Sequence, residues 1–289
     1  EDLKELISLC KARNVKLILD LAINHTSTSH EWFLKFKEAR MNGDVDNQYY
    51  DYYSCVKTEE KVGGIAYQKI AGVDCWYECN FSGDMPELNY DNEKVREEAL
   101  NIAKYYLDLG VHGFRFDAVK YIYLNDTGKS VEFWEWYMSE LRKISPDIYC
   151  VGECWSGEAE ILEYYTAMNC FNFAMSQAEG VAAKAVKSSS LSTFTSYIED
   201  FQKKVLAKNP EGMVTIPSNS NGVMVIVPDF CGYTAVLRSS YTSYRFPFKF
   251  STVCFTSASG FPKVYVHRSG WEGSSLLVGW KLWILLLKY

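Results

Sequence analysis

Three apolar, strand-like segments that each end in a carboxylate constrain this chain more than any other feature. They are LILDLAINH at 17–25, GFRFDAVK at 113–120 and IYCVGECW at 148–155. Parallel barrel enzymes take their catalytic groups from the C-terminal ends of several different strands. The sequence therefore predicts that Asp20, Asp117 and Glu153 converge at one end of a sheet, although they are far apart in the chain.

Composition narrows the class of protein. The 289 residues are 48% hydrophobic and 16% aromatic, enough for a full core. The net charge of -6, without a basic cluster among aromatics, disfavours a nucleic-acid partner. The last apolar run, SLLVGWKLWILLLKY, contains Lys281 and is shorter than the about 20 residues of a membrane helix. We predict a globular chain with no membrane partner.

Neither end of the chain nor its cysteines predicts a compartment. An amphipathic helix begins at once, with no basic segment and no cleavage site before it. This indicates that the native N-terminus lies upstream and leaves both a cytoplasmic and a secreted location open. Most of the nine cysteines are expected to be reduced core residues. At Cys75 and Cys79, a local disulfide is favoured over a zinc site, since no second pair or histidine is near.

Helix and strand patterns alternate along the first 217 residues. Helices are predicted near 1–13, 91–109, 131–144, 156–168 and 193–208, and strands at 15–20, 111–117 and 148–153 with an apolar run near 169–174. Asp91 is the predicted N-cap and Gly110 the end of the second helix. This order indicates a parallel sheet, and the absence of a GxGxxG loop favours a barrel over a doubly wound sheet. Residues 26–90 lack a sustained period and predict a functional loop region.

Four motifs resemble signatures of the alpha-amylase family of glycoside hydrolases. DLAINH (20–25) resembles DxxxNH at the end of the family's third strand, and GFRFDAVK (113–120) resembles GFRxDxxKH at the end of the fourth. Glu153 matches the acid at the end of the fifth strand, and MPELN (85–89) resembles MPDLN in the loop domain. The resemblance covers residues 1–217 and has all four motifs in the family's order.

The resemblance implies an α/β fold, namely a partial (β/α)8 TIM barrel with a long loop domain inserted after the third strand. Residues 1–25 and 91–217 are the predicted partial barrel, and 26–90 the inserted domain. The tail, 218–289, does not match the family pattern. It holds two acidic and seven basic residues, against thirty-four and twenty-three before it. We hypothesise that it is a foreign or frame-shifted translation product.

The chemistry of a retaining glycosidase fits two of the acids. It needs an ionised carboxylate and a protonated carboxyl about 5 to 5.5 Å apart, for which Asp117 and Glu153 are the candidates. Arg115 shares a strand face with Asp117 and is expected to hold it ionised. Glu153 lies between apolar Val151 and Trp155, which favours the protonated form. The alternatives are a helix cap for Asp117 and a surface acid for Glu153.

The resemblance assigns further residues to substrate and metal. His25 matches a residue that hydrogen-bonds the sugar at the cleavage subsite, and Asp20 one that orders the site. Lys120 and Tyr121 replace the family's Lys-His pair, which grips the sugar on the leaving-group side. Asn24 matches a calcium ligand of many members, so calcium is left open and no cofactor is required.

Aromatic residues in the loop region suit a sugar platform or a core. They are Tyr49, Tyr50, Tyr52, Tyr53, Trp76 and Tyr77. The two readings have equal support from the sequence.

The family's fourth signature, a strand ending in His-Asp, is missing. The chain reads SNSNGVMV (218–225) there, and Asp229 has no neighbouring histidine. We expect a rate loss of several orders of magnitude, since the missing acid supports the distorted sugar in the family. We also expect an open, unstable barrel unless the tail covers its sheet edges, which the tail's pattern does not favour.

The favoured function is retaining hydrolysis of alpha-glucosidic bonds in starch-like or malto-oligosaccharide substrates, impaired in this chain. The alternative is a non-catalytic carbohydrate-binding or interaction protein on the same barrel. Relatives of that kind lose the catalytic acids, whereas Asp117, Arg115 and Glu153 are present here. The implied partner is an oligosaccharide or polysaccharide, with alpha-1,4 and alpha-1,6 linkages both open.

Overall fold

The computed structural model describes residues 2–13, 15–176, 180–188, 190, 192–216, 225–227 and 285–288. The helices are α1 (Asp2–Ala12), α2 (Glu31–Asn42), α3 (Glu93–Leu109), α4 (Thr127–Ile144), α5 (Glu158–Tyr164), α6 (Phe173–Ser176), α7 (Val181–Ser188) and α8 (Ser192–Lys208). The strands are β1 (Val15–Leu21), β2 (Cys55–Val56), β3 (Tyr67–Lys69), β4 (Trp76–Glu78), β5 (Gly113–Phe116), β6 (Tyr149–Gly152), β7 (Asn169–Cys170), β8 (Val214–Ile216), β9 (Val225–Val227) and β10 (Leu285–Lys288).

The chain divides into two compact units. The first consists of Glu1–Asp20, Leu109–Arg115 and Asp147–Tyr289. The second consists of Leu21–Asp108 and Phe116–Pro146.

A five-stranded sheet forms the centre of the first unit. Its order is β10-β1-β5-β6-β7, and β6 and β7 are parallel. The His112 N–H donates to the Leu17 carbonyl (2.7 Å), and the Tyr149 N–H donates to the His112 carbonyl (3.1 Å). From β1 to β7 the strands lie in chain order, with helices between them in the sequence. This order is typical of a barrel, because the order in a doubly wound sheet reverses at its switch point.

The strands of this sheet follow from burial and close packing. Leu17, Ile18 and Leu19 in β1 are successive residues and all buried, which explains a continuous apolar run instead of an alternating one. In β5, a Cβ at Gly113 would lie 1.7 Å from the carbonyl oxygen of Tyr149. Only glycine therefore fits where β5 passes this part of β6.

The tail contributes to one edge of the sheet. The strand β10 pairs antiparallel with β1, from Val15 opposite Lys288 to Ile18 opposite Leu285. This pairing contradicts the expectation that the tail leaves the sheet edges uncovered. The predicted change of reading frame and the missing His-Asp pair concern residues 217–224 and 228–284, which lie outside the described residues.

The second unit contains structure that the sequence did not predict. An antiparallel three-stranded sheet has the order β2-β4-β3, and α2 precedes it. His30 caps α2 by accepting from the Trp32 N–H, and Gly43, with φ +65°, ends it. Phe33, Phe36 and Ala39 form the buried face of α2. The expectation of a region without periodic structure was wrong. The helical period of α2 is obscured because apolar Leu34 and Met41 lie outside the buried face and are exposed.

The start of α3 also differs from its prediction. Asn92 caps this helix by accepting from the Lys94 N–H (2.9 Å), whereas Asp91 pairs with Lys129 (2.8 Å) and accepts from Tyr123. Gly110, with φ +104°, follows the helix end as predicted. A cap is therefore placed one residue later than the sequence suggested.

The cysteines within the described residues are all free thiols. They are Cys10, Cys55, Cys75, Cys79, Cys150, Cys154 and Cys170. The local disulfide predicted between Cys75 and Cys79 is therefore wrong, and the Cys79 thiol points to the Ala66 carbonyl instead (3.8 Å). No helix in the described part of the chain has the length and apolar character needed to cross a bilayer.

Candidate active site

The first unit holds a charged cluster at the ends of its central strands. Arg115 on β5 donates to the Asp20 carboxylate of β1 (2.7 Å) and contacts the carboxylate of Glu153, which follows β6. The three side chains are only 15%, 21% and 16% exposed for Arg115, Asp20 and Glu153. Partial burial strengthens these ion pairs relative to surface pairs.

Glu153 has a cationic partner that the sequence did not reveal. Its apolar neighbours in the chain suggested a setting without a cation, but Arg115 reaches it from the adjacent strand. A guanidinium in contact stabilises the ionised form of a carboxyl group. The environment of Glu153 therefore differs from the cation-free setting that its neighbours in the chain suggested.

Trp155 is a further site residue that the sequence analysis treated only as an apolar neighbour. Its indole N–H donates to the Glu153 carboxylate. The ring stacks on Phe173, with centroids 4.1 Å apart, and the residue is 54% exposed. An exposed indole beside a carboxylate offers a flat apolar face and a polar edge, both suited to a sugar ring.

In the second unit, Asp117 stands at the start of a strained turn. The following residue, Ala118, has φ +45°, a left-handed conformation that is uncommon for a residue other than glycine. The buried Asn24 side chain donates to the Ala118 carbonyl (2.6 Å), and the Trp134 indole donates to the Val119 carbonyl (2.8 Å). These two donors stabilise the turn that positions Asp117.

His25 lies near Asp117 in the same unit. Burial lowers the pKa of His25, and the negative charge of Asp117 acts against this shift. The ring of Phe81 lies 5.1 Å from His25 and 4.5 Å from Tyr121, between centroids. Lys120 extends over the Tyr121 ring (5.7 Å). The structure thus links His25 with Asp117 and Lys120 with Tyr121, and Phe81, which belongs to none of the sequence motifs, packs between His25 and Tyr121.

Glu87 is a buried acid beside His25. The two residues form an antiparallel bridge, so their side chains lie on the same face. One carboxyl oxygen accepts from the Asn80 N–H (3.3 Å), and the other has no hydrogen-bond partner within the described residues. Burial raises the pKa of Glu87 to about 8. Glu87 is therefore mainly a neutral acid at pH 7.

We expect Glu87→Gln to change how stability depends on pH. The folded state keeps the Glu87 proton up to about pH 8, whereas the unfolded chain loses it near pH 4.3. Glu87 therefore contributes stability at low pH that is lost as pH rises towards 8, by up to about 1.4 kcal/mol per pH unit. Urea unfolding should show the variant gaining about 2 kcal/mol relative to the parent between pH 5 and pH 7.

The matched control for this prediction is Glu163→Gln, which alters an exposed carboxylate paired with Lys208. It should leave the pH dependence of unfolding unchanged. Equal pH dependence in the parent and Glu87→Gln would contradict the burial of a neutral acid at this position.

Three of the six aromatic residues of the loop region belong to its core. Tyr52, Tyr53 and Tyr77 are 2%, 0% and 4% exposed, so the core alternative is correct for these three. Trp76 is partly exposed, but the Lys61 ammonium lies 3.7 Å from its ring centroid.

Asn24, matched by the resemblance to a calcium ligand, is buried in the second unit. Its Oδ1 is buried without a hydrogen-bond partner, which suits a cation. Calcium takes about six to eight oxygen ligands, however, and the described part of the chain contains no group of three or more His, Cys, Asp or Glu able to hold a metal. The Asn24 amide nitrogen donates to the Ala118 carbonyl.

We expect Asn24→Asp to lower the free energy of unfolding by about 1–3 kcal/mol, because it removes the donor from a buried carbonyl. An aspartate would keep or improve a calcium ligand, so the same variant separates the two roles. Urea unfolding with and without calcium is the measurement, and added calcium should not restore the loss. Restoration to the parent value by calcium would contradict the donor role.

Carboxylates and an arginine at the ends of consecutive strands define a barrel-type α/β enzyme site. The family model for the catalytic domain of alpha amylase matches residues 1–218, and the chain belongs to this family. This confirms the family predicted from the four motifs.

Individual relatives agree with this assignment. The chain is 42% identical over 178 residues to Alpha-amylase 3 of Dictyoglomus thermophilum, covering 61% of this chain and 34% of that protein. It is 37% identical over 131 residues to an oligo-1,6-glucosidase of Bacillus cereus, covering 42% and 23%. The chain thus spans about a third or less of the length of these curated relatives.

A solved structure confirms the predicted class of fold. Amy13B of Eubacterium rectale superimposes with a TM-score of 0.67 at 30% identity, covering 74% of this chain and 43% of that one. The sheet whose strands lie in chain order therefore belongs to a (β/α)8 barrel, of which the described residues form a part.

Proposed function

We propose that this chain carries the site of a retaining hydrolase of alpha-glucosidic bonds, acting on starch-like or malto-oligosaccharide substrates. The contact of Arg115 with both Asp20 and Glu153 carries this proposal, because it gathers acids from successive strand ends in a member of the alpha-amylase family. The names of two relatives, an alpha-amylase and an oligo-1,6-glucosidase, support the class of substrate.

In the proposed mechanism, Asp117 is the nucleophile. Its carboxylate attacks the anomeric carbon while Glu153 protonates the departing glycosidic oxygen. Glu153 then removes a proton from water, which hydrolyses the glycosyl ester on Asp117. Two inversions at one carbon retain its configuration.

Arg115 and Trp155 act as positioning residues for Glu153. Both donate to its carboxylate. These two contacts from different parts of the chain fix where the carboxyl group lies.

We propose that the aromatic and polar cluster of the second unit binds sugar. His25 presents a neutral imidazole that hydrogen-bonds sugar hydroxyls, while the rings of Phe81 and Tyr121 pack against apolar sugar faces. Lys120 adds a donor beside Tyr121. No step of this mechanism uses a metal or another cofactor.

We propose that turnover in this chain is slow. SNSNGVMV stands where the family has its His-Asp pair, so the acid that supports the distorted sugar is missing. This loss also favours a second function, in which the chain binds oligosaccharides without cleaving them.

Proton NMR of the first product separates these possibilities. Incubation with maltotetraose should release a product whose new reducing end is first the alpha anomer, before mutarotation. First formation of the beta anomer would contradict a retaining mechanism. Binding by calorimetry without any product would favour the non-catalytic function.

A further inference from the structure

A buried tryptophan of α4 contacts the chain on both sides of Asp117. Trp134 is 0% exposed, and its indole N–H donates to the Val119 carbonyl (2.8 Å), two residues after Asp117. Its ring lies 4.7 Å from the ring of Phe116, between centroids, and Phe116 directly precedes Asp117. One side chain therefore contacts the residue before the proposed nucleophile and the second residue after it.

The backbone between these two contacts is strained. Ala118 has φ +45° and ψ +49°, where the Cβ of an L-residue crowds the following carbonyl oxygen. Its own carbonyl accepts from the Asn24 side chain (2.6 Å) and from the Tyr121 N–H (2.9 Å), and the Asp117 N–H donates to the Leu21 carbonyl (3.3 Å). Such a conformation persists only where surrounding contacts hold it.

The hydrogen bond from Trp134 is one of these contacts. Val119 is 0% exposed, so its carbonyl is shielded from water, and a buried acceptor that loses its donor carries a desolvation cost. Removal of the indole N–H therefore favours a rearrangement of this peptide group. Trp134 itself is fixed, because it lies inside the 18-residue helix α4, whose N-cap Asp126 accepts from the Lys129 N–H (2.9 Å).

We propose that Trp134 is a positioning residue for Asp117. It holds the left-handed turn at Ala118, and the turn sets where the Asp117 carboxylate meets the anomeric carbon. Trp134 is fully buried and acts only through this turn. The proposal rests on the proposed function, in which Asp117 is the nucleophile. A displaced nucleophile impairs the chemical step more than substrate binding, so loss of the Trp134 hydrogen bond should lower kcat and leave KM nearly unchanged.

Trp134→Phe in the full chain tests this role, because it keeps an aromatic ring beside Phe116 and removes the N–H. We expect kcat for maltotetraose to fall by about 10–100-fold. KM should change by less than about threefold. The matched control is Tyr137→Phe, which removes another donor of α4 to a buried carbonyl, that of Ala99 on α3 (2.8 Å). It should keep parental kcat at a similar loss of stability, measured by urea unfolding.

Hydrogen exchange of the substrate-free protein, followed by NMR, gives a readout that does not need turnover. The Asp117 and Tyr121 amides donate within or next to the turn. Trp134→Phe should speed up their exchange by about tenfold or more relative to the amides of α3, and Tyr137→Phe should not. An inactive parent chain with faster exchange in Trp134→Phe would overturn the proposed function but leave the control of the turn by Trp134 in place.

A second variant covers the case in which Trp134→Phe no longer unfolds cooperatively. Replacing Trp134 by 3-benzothienylalanine keeps the shape of the ring and exchanges the N–H for sulfur, so it tests the same hydrogen bond without a cavity. Parental kcat in a folded variant that lacks the N–H, an equal loss of kcat in Tyr137→Phe, or unchanged exchange of the Asp117 and Tyr121 amides would overturn the proposal.

Discussion

Asp117→Asn should lower kcat for malto-oligosaccharide hydrolysis by roughly 10⁴-fold or more. An amide does not form the glycosyl ester through which the proposed double displacement proceeds. Glu153→Gln should lower kcat by roughly 10²–10⁴-fold, because it removes proton transfer to the leaving group. Release of reducing sugar by the parent and the two variants is the measurement.

The leaving group distinguishes the two roles. A glucosyl fluoride needs little protonation, so Glu153→Gln should lose less activity on it than on maltotetraose. Asp117→Asn should lose equally on both. Asp108→Asn and Glu97→Gln, which alter exposed ion pairs on α3, are controls expected to keep parental activity. Parental turnover in Asp117→Asn, or equal losses for Glu153→Gln on both substrates, would contradict these assignments.

Arg115→Met should lower the free energy of unfolding by about 3–5 kcal/mol. It leaves the carboxylates of Asp20 and Glu153 partly buried without this cation. Such a loss is a large share of the about 5–15 kcal/mol that stabilises an ordinary domain. Urea unfolding at neutral pH measures it.

The loss in free energy of unfolding for Arg115→Met should come mainly from the two partly buried carboxylates, which no longer contact the guanidinium. Adding Glu153→Gln to Arg115→Met should therefore recover part of the stability, as a double-mutant cycle would show. Lys104→Met, which breaks an exposed pair with Asp108, should cost less than about 1 kcal/mol. A loss for Arg115→Met as small as that of the control would contradict a partly buried three-residue cluster.

The sequence predicted the elements whose signal lies within a short segment. The strand around Leu17–Leu19 is continuously apolar because it is buried. Gly110 follows the end of α3 because the backbone there has a positive φ, which glycine adopts more readily than other residues. The carboxylates at strand ends could be predicted because each directly follows an apolar run in the sequence. Signals of this kind require no knowledge of which strands are neighbours.

Features that depend on neighbouring strands were missed. The partner of Glu153 is Arg115, which is distant in the chain and adjacent only because β5 and β6 are neighbours. Similarly, the Cys79 thiol points to the Ala66 carbonyl and forms no disulfide with Cys75. Sequence spacing alone revealed neither partner.

The most direct test of the central claim is to trap the glycosyl ester on the nucleophile. The full chain is incubated with 5-fluoro-alpha-D-glucosyl fluoride, whose good leaving group forms the ester and whose ring fluorine slows its hydrolysis, and a tryptic digest is analysed by mass spectrometry. Trypsin releases FDAVK, residues 116–120, in which Asp117 is the only acidic side chain. We expect the sugar label on FDAVK and no label in Asp117→Asn. A label on another peptide, or an unlabelled FDAVK in the parent chain, would contradict the assignment of Asp117 as the nucleophile.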